Sequence, residues 1–332
     1  MIVGVIGGGQ LGRMLALAGI PLGLSFRFLD PSPAAPAGEV GELLVGAYDD
    51  AELLDRLAAG ATVVTYEFEN VPVEAARRVG AVPAAAALEA SQDRLVEKQL
   101  FRRLGIPTPR IDDEVESFPA ILKTRRLGYD GKGQRLVETW EGPGPSHVLE
   151  ERLSFERELS LLAVRGRDGD TRFWPLVENV HEDGILRTSR APAAAAPQAD
   201  AEGYASRLLD ELGYVGVLAL ELFDVGGRLL ANEFAPRVHN TGHWTIEGAA
   251  TSQFENHLRA VLGLPLGSTE SRPSAMFNLI GAAPVMEDVL RIAGAHLHLY
   301  GKEPRPGRKL GHITLVEPTP AGERALQALV SR

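Results

Sequence analysis

The chain contains no cysteine in its 332 residues. Disulfides, thiol nucleophiles and cysteine-ligated zinc or iron–sulfur centres are therefore excluded. Positive charge is in the minority: 34 Lys and Arg against 44 Asp and Glu leave a formal net charge of −10. Such a balance offers no footprint for nucleic acid, so any anion site has to be a local basic pocket. No apolar run approaches the roughly 18 residues of a membrane helix. The N-terminus, MIVGVIGGGQ, is a strand running into glycines and not a charged segment followed by a signal-peptide core. A cytoplasmic protein with no nucleic-acid or membrane partner is expected. What is present is ordinary for a soluble globular chain, with 45% apolar and 23% charged residues. The length exceeds one ordinary core, so two or three domains are expected.

The order of patterns reads as βαβ followed by α+β. Residues 2–6 form a buried strand, 7–12 a turn, 11–22 a helix and 24–29 a second strand ending at Asp30, with the helix N-terminus aimed at whatever binds the turn. Helices are expected at 49–59, 72–79 and 94–104, and a strand at 62–65. Beyond the Gly105-Ile106-Pro107 stop, strands are expected at 120–124, 147–151, 158–164 and 173–177 and through 216–234. An alanine- and proline-rich connection, 191–202, leads to a helix at 201–212. The expected divisions are 1–96, a small central insert at 97–150 and a larger α+β unit at 151–332.

Residues 218–240, LALELFDVGGRLLANEFAPRVHN, carry the most chemistry. Apolar residues flank Glu221 and Glu233, and a half-buried carboxylate needs a cation or hydrogen-bond partners. Two such acids with Asn232 make an oxygen-ligand set for Mg²⁺. The register decides. A three-residue loop, 225–227, pairs Glu233 with Ala219 and leaves Glu221 diagonal on the same face, whereas a two-residue loop puts the acids on opposite faces. The competing reading is a hairpin with two ordinary surface acids.

Other motifs are individually weaker. Gly7-x-Gly9-x-x-Gly12 with Asp30 ending the next strand fits a dinucleotide fingerprint, but a sugar phosphate satisfies the same glycines, and no hydride-transfer site follows. Lys123 and the loop Gly128-Tyr129-Asp130-Gly131-Lys132-Gly133 suit phosphates without having P-loop spacing. Arg94 and Lys98, at i and i+4, read by default as a solvated charged face. His239, His243 and Glu247 have metal-like spacing, but Pro236 and Gly242 argue against the regular helix that zinc would need. His296, His298 and His312 read as structural. Lys302, Arg305, Arg308 and Lys309 make a local basic loop in an acidic chain.

In sequence, GGGQLGRM (7–14), TYEFENVP (65–72), QDRLVEKQLF (92–101), LGYDGKGQ (127–134), HEDGILRTS (181–189), NEFAPRVHNTGHWT (232–245) and GRKLGH (307–312) resemble the ATP-grasp ligases. Within them they resemble the branch that carboxylates 5-aminoimidazole ribonucleotide in purine biosynthesis. The resemblance spans nearly the whole chain. It implies an ATP-grasp fold with an N-terminal Rossmann-like (pre-ATP-grasp) domain, a small central lid domain and a larger C-terminal α+β domain. It further implies that ATP, with Mg²⁺ or Mn²⁺, phosphorylates bicarbonate to carboxyphosphate, which the amine of the ribonucleotide captures, and that the protein is a homodimer. By matching position, Arg94, Lys123, Gly128, Tyr129, Asp130, Gly131, Lys132, Gly133, Gln134, Glu150, Glu151, Arg152, Leu153, Glu158, His181, Asn232 and Glu233 would line the nucleotide. Glu221 and Glu233 would hold the metal. Arg237, His239 and Asn240, with Tyr129 and Lys132, would serve catalysis. Gln10, Leu11, Glu67, Glu69, Asn70, Lys302, Arg305, Arg308 and Lys309 would hold the ribonucleotide. Lys132 stands where many relatives carry arginine, so it keeps the charge and loses the bidentate fork.

Overall fold

The structure, a computed structural model, describes residues 1–128, 133–140 and 142–330. Ile2–Ile6 (β1) is buried after its first residue, as an apolar run becomes when a parallel sheet is covered on both faces. It lies between Ser25–Asp30 (β2) and Val63–Tyr66 (β4), and Glu42–Val45 (β3) pairs with β2, all in parallel. β3 adds a strand that the sequence patterns do not announce. Only Leu44 of its four residues is buried, so it shows no alternation to read. The helix Gln10–Gly19 follows β1 and packs between this sheet and the helix Gln253–Leu262. That approach depends on Gly19, where a Cβ would lie 2.9 Å from Leu258 Cδ1.

Three antiparallel strands form the small central unit: Ala120–Thr124 (β5), Gln134–Val137 (β6) and His147–Glu150 (β7), in the order β6-β5-β7. Before them, the helix Arg94–Arg103 is capped by Asp93, whose carboxylate accepts from Leu95 N–H, and it ends on Arg102 and Arg103, both favourable to the helix dipole. Phe101 meets Phe234 edge-on at 6.1 Å, so this helix is anchored to the back of the large sheet.

That sheet contains Arg157–Arg165 (β8), Thr171–Phe173 (β9), Val177–Glu182 (β10), Ile185–Ala191 (β11), Gly216–Val225 (β12), Arg228–Ala235 (β13), Ser274–Ile280 (β14), Ala295–Leu299 (β15) and Lys309–Val316 (β16). Its order is β13-β12-β8-β10-β11-β14-β16-β15, with β9 beside β8. The single strand expected at 173–177 is instead split between β9 and β10. Pro175 lacks the N–H a ladder needs, and Trp174 turns into the core, fully buried. One apolar cluster joins Val3, Val5 and Leu15 of the N-terminal unit to Leu162, Trp244 and Phe254 of the large one.

Candidate active site

The hairpin of β12 and β13 does not have the expected three-residue loop. Val225 pairs with Arg228 across a two-residue turn, Gly226-Gly227, with φ of 62° and 82°. Such a turn favours glycine at both positions. In a regular ladder this register would oppose Glu221 to Asn232 and send Glu233 to the far face. A β-bulge prevents it: Leu222 pairs with Ala231, but Glu221 pairs with Glu233, leaving Asn232 as the extra residue. Asn232, Glu233 and Glu221 consequently line one cleft. The Glu221 carboxyl is pushed up to about 8, first by burial and then by the facing Glu233. Its Oε1 is 3.2 Å from His239 Nε2, and Arg94 Nη1 lies 2.7 Å from Glu233 Oε2. The buried Asn232 Oδ1 has no hydrogen-bond partner among the described residues.

The cleft has a volume of about 520 Å³, within the usual range for small-molecule sites. On its central-unit side Lys123 Nζ is 2.5 Å from Glu150 Oε1, and Lys98 Nζ is 3.2 Å from Glu150 Oε2. Burial alone would raise the Glu150 carboxyl; Lys123 and then Lys98 overcome it and hold it at about 2. The solvated face expected for Arg94 and Lys98 is thus corrected, because Lys98 is only 1% exposed. Arg94 Nη2 donates to Gly128 O at 3.2 Å. Glu158 and His181 form an ion pair that keeps the imidazole above its ordinary value despite burial. Gln134, Glu151, Arg152 and Leu153 complete this part of the lining. Gly133 lies outside the lining, its φ is 78°, and its carbonyl accepts from Thr124 N–H. Tyr129, Asp130, Gly131 and Lys132 lie outside the described residues.

After β13 the chain turns into the loop that carries Arg237, His239 and Asn240. The Arg237 guanidinium pairs with Glu69 and gives Nη1 to Val238 O at 2.9 Å. Gln253 clamps the His239 backbone, accepting from its N–H at 2.9 Å and donating to its carbonyl at 2.6 Å. Burial, then Arg237, keeps His239 well below the ordinary imidazole value, hence neutral at pH 7. Both side-chain amide atoms of Asn240 are buried without hydrogen-bond partners among the described residues. Gln10, Leu11, Glu69 and Lys309 reach the same cleft. Lys302 pairs with Gln10, Asn70 lines an adjoining small cleft, and Arg305 is exposed. Arg308 bonds Glu303 O at 3.2 Å. His243 points away from the cleft and packs on His312, with ring centroids 4.8 Å apart. Among the described residues no cluster of three His, Cys, Asp or Glu side chains forms.

The glycine turn is not an open phosphate cradle. Glu67, 7% exposed, accepts from Gly9 N–H at 2.5 Å and Gly12 N–H at 2.6 Å. Asp30 accepts from Gly8 N–H, Ser32 N–H and the Tyr48 hydroxyl. The protein's own carboxylates take up these turn N–H groups, which counts against the dinucleotide reading. The lining residues to which the sequence assigns no role are Ile121, Phe155, Gly184, Leu186 and Phe223. Phe155 stacks on Phe223 at 4.7 Å. These walls are apolar and carry no signature beyond hydrophobicity.

Comparison with known proteins agrees with this architecture. Residues 1–92 match the ribonucleotide synthetase preATP-grasp domain, 108–254 the ATP-grasp domain, and 274–325 the phosphoribosylaminoimidazole carboxylase C-terminal domain. The N5-carboxyaminoimidazole ribonucleotide synthase of Pseudomonas aeruginosa is 52% identical, over 95% of this chain and 94% of its own. The crystal structure of N5-carboxyaminoimidazole ribonucleotide synthetase from Thermus thermophilus superposes with a TM-score of 0.94 at 57% identity, covering 100% of this chain and 99% of that one. An Aspergillus clavatus N5-carboxyaminoimidazole synthase, solved in complex with ADP and 5-aminoimidazole ribonucleotide, gives 0.88 at 32% identity, covering 99% and 97%. The chain belongs to the N5-carboxyaminoimidazole ribonucleotide synthases, ATP-dependent ligases of purine biosynthesis built on the ATP-grasp fold.

Proposed function

We propose that the cleft carries out the family's carboxylation of 5-aminoimidazole ribonucleotide with bicarbonate as the carbon source and carboxyphosphate as the intermediate. A bicarbonate oxygen attacks the γ-phosphorus of ATP and ADP leaves. The exocyclic amine nitrogen then attacks the carboxyl carbon of carboxyphosphate, phosphate departs and the nitrogen loses a proton. Lys123 and Arg94 bind the polyphosphate, Glu158 and His181 sit by the ribose, and the Leu153–Phe155 segment with Ile121, Leu186 and Phe223 holds the base. Arg237 presents a planar fork to the bicarbonate oxyanion, with His239 and Asn240 alongside.

Glu221, Glu233 and Asn232 suit a hard cation such as Mg²⁺, or Mn²⁺, because two facing carboxylates and an unpartnered amide oxygen form an all-oxygen donor set. Once bound, the cation would neutralise charge on the polyphosphate. Carboxyphosphate hydrolyses readily, so water has to be excluded, and the loop 128–133 is the segment proposed to close. The ribonucleotide is assigned to Gln10, Leu11, Glu69, Asn70, Lys302, Arg305, Arg308 and Lys309. Glu67 shapes the turn beneath it. The working assembly is proposed to be a homodimer, to be checked by light scattering.

The single observation carrying this reading is the pairing of Glu221 with Glu233 in the same cleft as Arg237, His239 and Asn240. Loss of a charge-assisted contact made mainly in the transition state costs about 3 kcal/mol, or roughly 100-fold in rate. Arg237→Lys is expected to keep Mg-ATP affinity while losing ADP formation that depends on bicarbonate and ribonucleotide. Normal turnover, or loss of ATP binding instead, would overturn the assignment.

A further inference from the structure

Lys98 is buried to within 1%, and although it lies in the segment 92–101, no part in the site is assigned to it above. Its ammonium meets three acceptors: Asn232 O at 2.7 Å, Glu150 Oε2 at 3.2 Å and Ala231 O at 3.4 Å. Glu150 is equally buried, and its other oxygen is held by Lys123. One buried carboxylate is therefore shared between two ammonium groups, of which only Lys123 lines the cleft. A buried charge left without a partner is heavily penalised. Lys123 is able to turn toward an anionic ligand only if Glu150 keeps a second cation. Asn232 adds a separate observation. It is the extra residue of the bulge, and Lys98 supplies a donor to its carbonyl. Neighbouring contacts hold the same strand without Lys98: Glu97 accepts from Phe234 N–H at 2.7 Å and Thr108 Oγ1 donates to Ala231 O at 2.8 Å.

We propose that Lys98 is a positioning residue with two roles: resident counter-ion of Glu150, releasing Lys123 to the phosphates, and clamp on the bulge that sets Asn232 and Glu233 beside Glu221. The inference rests on the functional reading above for Lys123 and the paired glutamates. It goes further in making the nucleotide side and the metal side of the cleft depend on one buried ammonium. The helix Arg94–Arg103 is then the common support of both, with Arg94 touching the ligand side and Lys98 the protein side.

The test uses the full chain. Lys98→Gln keeps a neutral donor for Asn232 and removes the charge; Lys98→Met removes both. Calorimetric titration with Mg-ATP is expected to show affinity falling about tenfold or more in each variant. Adding Glu150→Gln should recover most of that loss, because a neutral amide at position 150 no longer retains Lys123. Mn²⁺ titration followed by electron paramagnetic resonance at saturating ADP should show weakened metal binding in Lys98→Met and not in Lys98→Gln. If the losses from Lys98→Gln and Glu150→Gln multiply, the counter-ion role is wrong. Unchanged Mn²⁺ binding in Lys98→Met removes the clamp. Should Lys98→Met fail to fold, Lys98→Gln with and without Glu150→Gln still decides the first role. Lys123→Gln separates the two levels: unchanged ATP binding in that variant breaks the underlying site reading, whereas its loss beside a normal Lys98→Gln breaks only this inference.

Discussion

Glu67, beside the glycine turn, and Glu221, in the middle of β12, are both carboxylates drawn into the protein, and they are treated in opposite ways. Glu67 is met by the Gly9 and Gly12 N–H groups, so its hydrogen-bonding capacity is taken up at the N-terminus of the helix Gln10–Gly19. Glu221 is met by another acid, Glu233, with an imidazole held neutral nearby. A carboxylate supplied with backbone donors is complete, and it shapes the turn. One supplied with a second carboxylate is left incomplete, which is the ground on which a cation is proposed there. A carboxylate drawn into the protein thus has contrary meanings, and partner chemistry decides between them.

The comparison breaks most visibly in catalysis. Glu221→Gln and Glu233→Gln should each lower ADP formation by at least about 100-fold at saturating Mg²⁺ while leaving circular dichroism unchanged; turnover like the parent protein in either variant would detach that acid from the metal site. A smaller effect sharpens the same contrast through pH. The Glu221 carboxyl titrates near 8 in the folded chain, above its ordinary value of 4.5. The folded state therefore holds a proton that the unfolded chain releases. Its stabilising contribution is complete below the unfolded value and is lost as pH rises through about 8. Calorimetry of metal-free protein should show Tm falling more steeply between about pH 5 and pH 9 in the parent protein than in Glu221→Gln. Identical slopes would mean that the two acids do not strain one another. Smallest is the effect at the completed site. Glu67→Gln should cost about 1–3 kcal/mol of stability, seen as a Tm lowered by a few degrees, with Mg-ATP affinity intact. An unchanged Tm would deny Glu67 its structural part.

The strand–glycine turn–helix of β1, the helix Arg94–Arg103 and the acid-bearing hairpin were all legible because local pattern and chemistry coincide there. The register of that hairpin was not. Gly226-Gly227 favours a two-residue turn, and the bulge at Asn232 is held by Lys98, distant in sequence, so no local pattern encodes it. Lys98 itself looks like a surface lysine because helical spacing from Arg94 says nothing of the β13 backbone that covers it. Glu67 was placed with the ribonucleotide since its segment matches by motif, whereas its turn toward Gly9 and Gly12 is a tertiary event. Phe155, in the segment before β8, and Phe223, on β12, reach the cleft from separate parts of the chain and bear no polar mark. β3 escaped notice for the opposite reason: three of its four residues are not buried, so it lacks the pattern by which strands are found.

The ladder between β11 and β14 has a consequence for how this chain divides. Thr188 pairs with Phe277 and Ala191 with Ser274, so the segment matching the C-terminal family completes a sheet begun by the segment matching the ATP-grasp family. Cutting before Ser274 would strip β11 of its neighbour and present a row of unpaired amides and carbonyls, the kind of rim along which chains stick to one another. The same cut removes Lys309, the residue with which β16 reaches the cleft. These segments are therefore not interchangeable beads. A hybrid made by grafting another chain's ending would have to reproduce the alternation and register of Ser274–Ile280 before its Lys309 counterpart could reach the cleft.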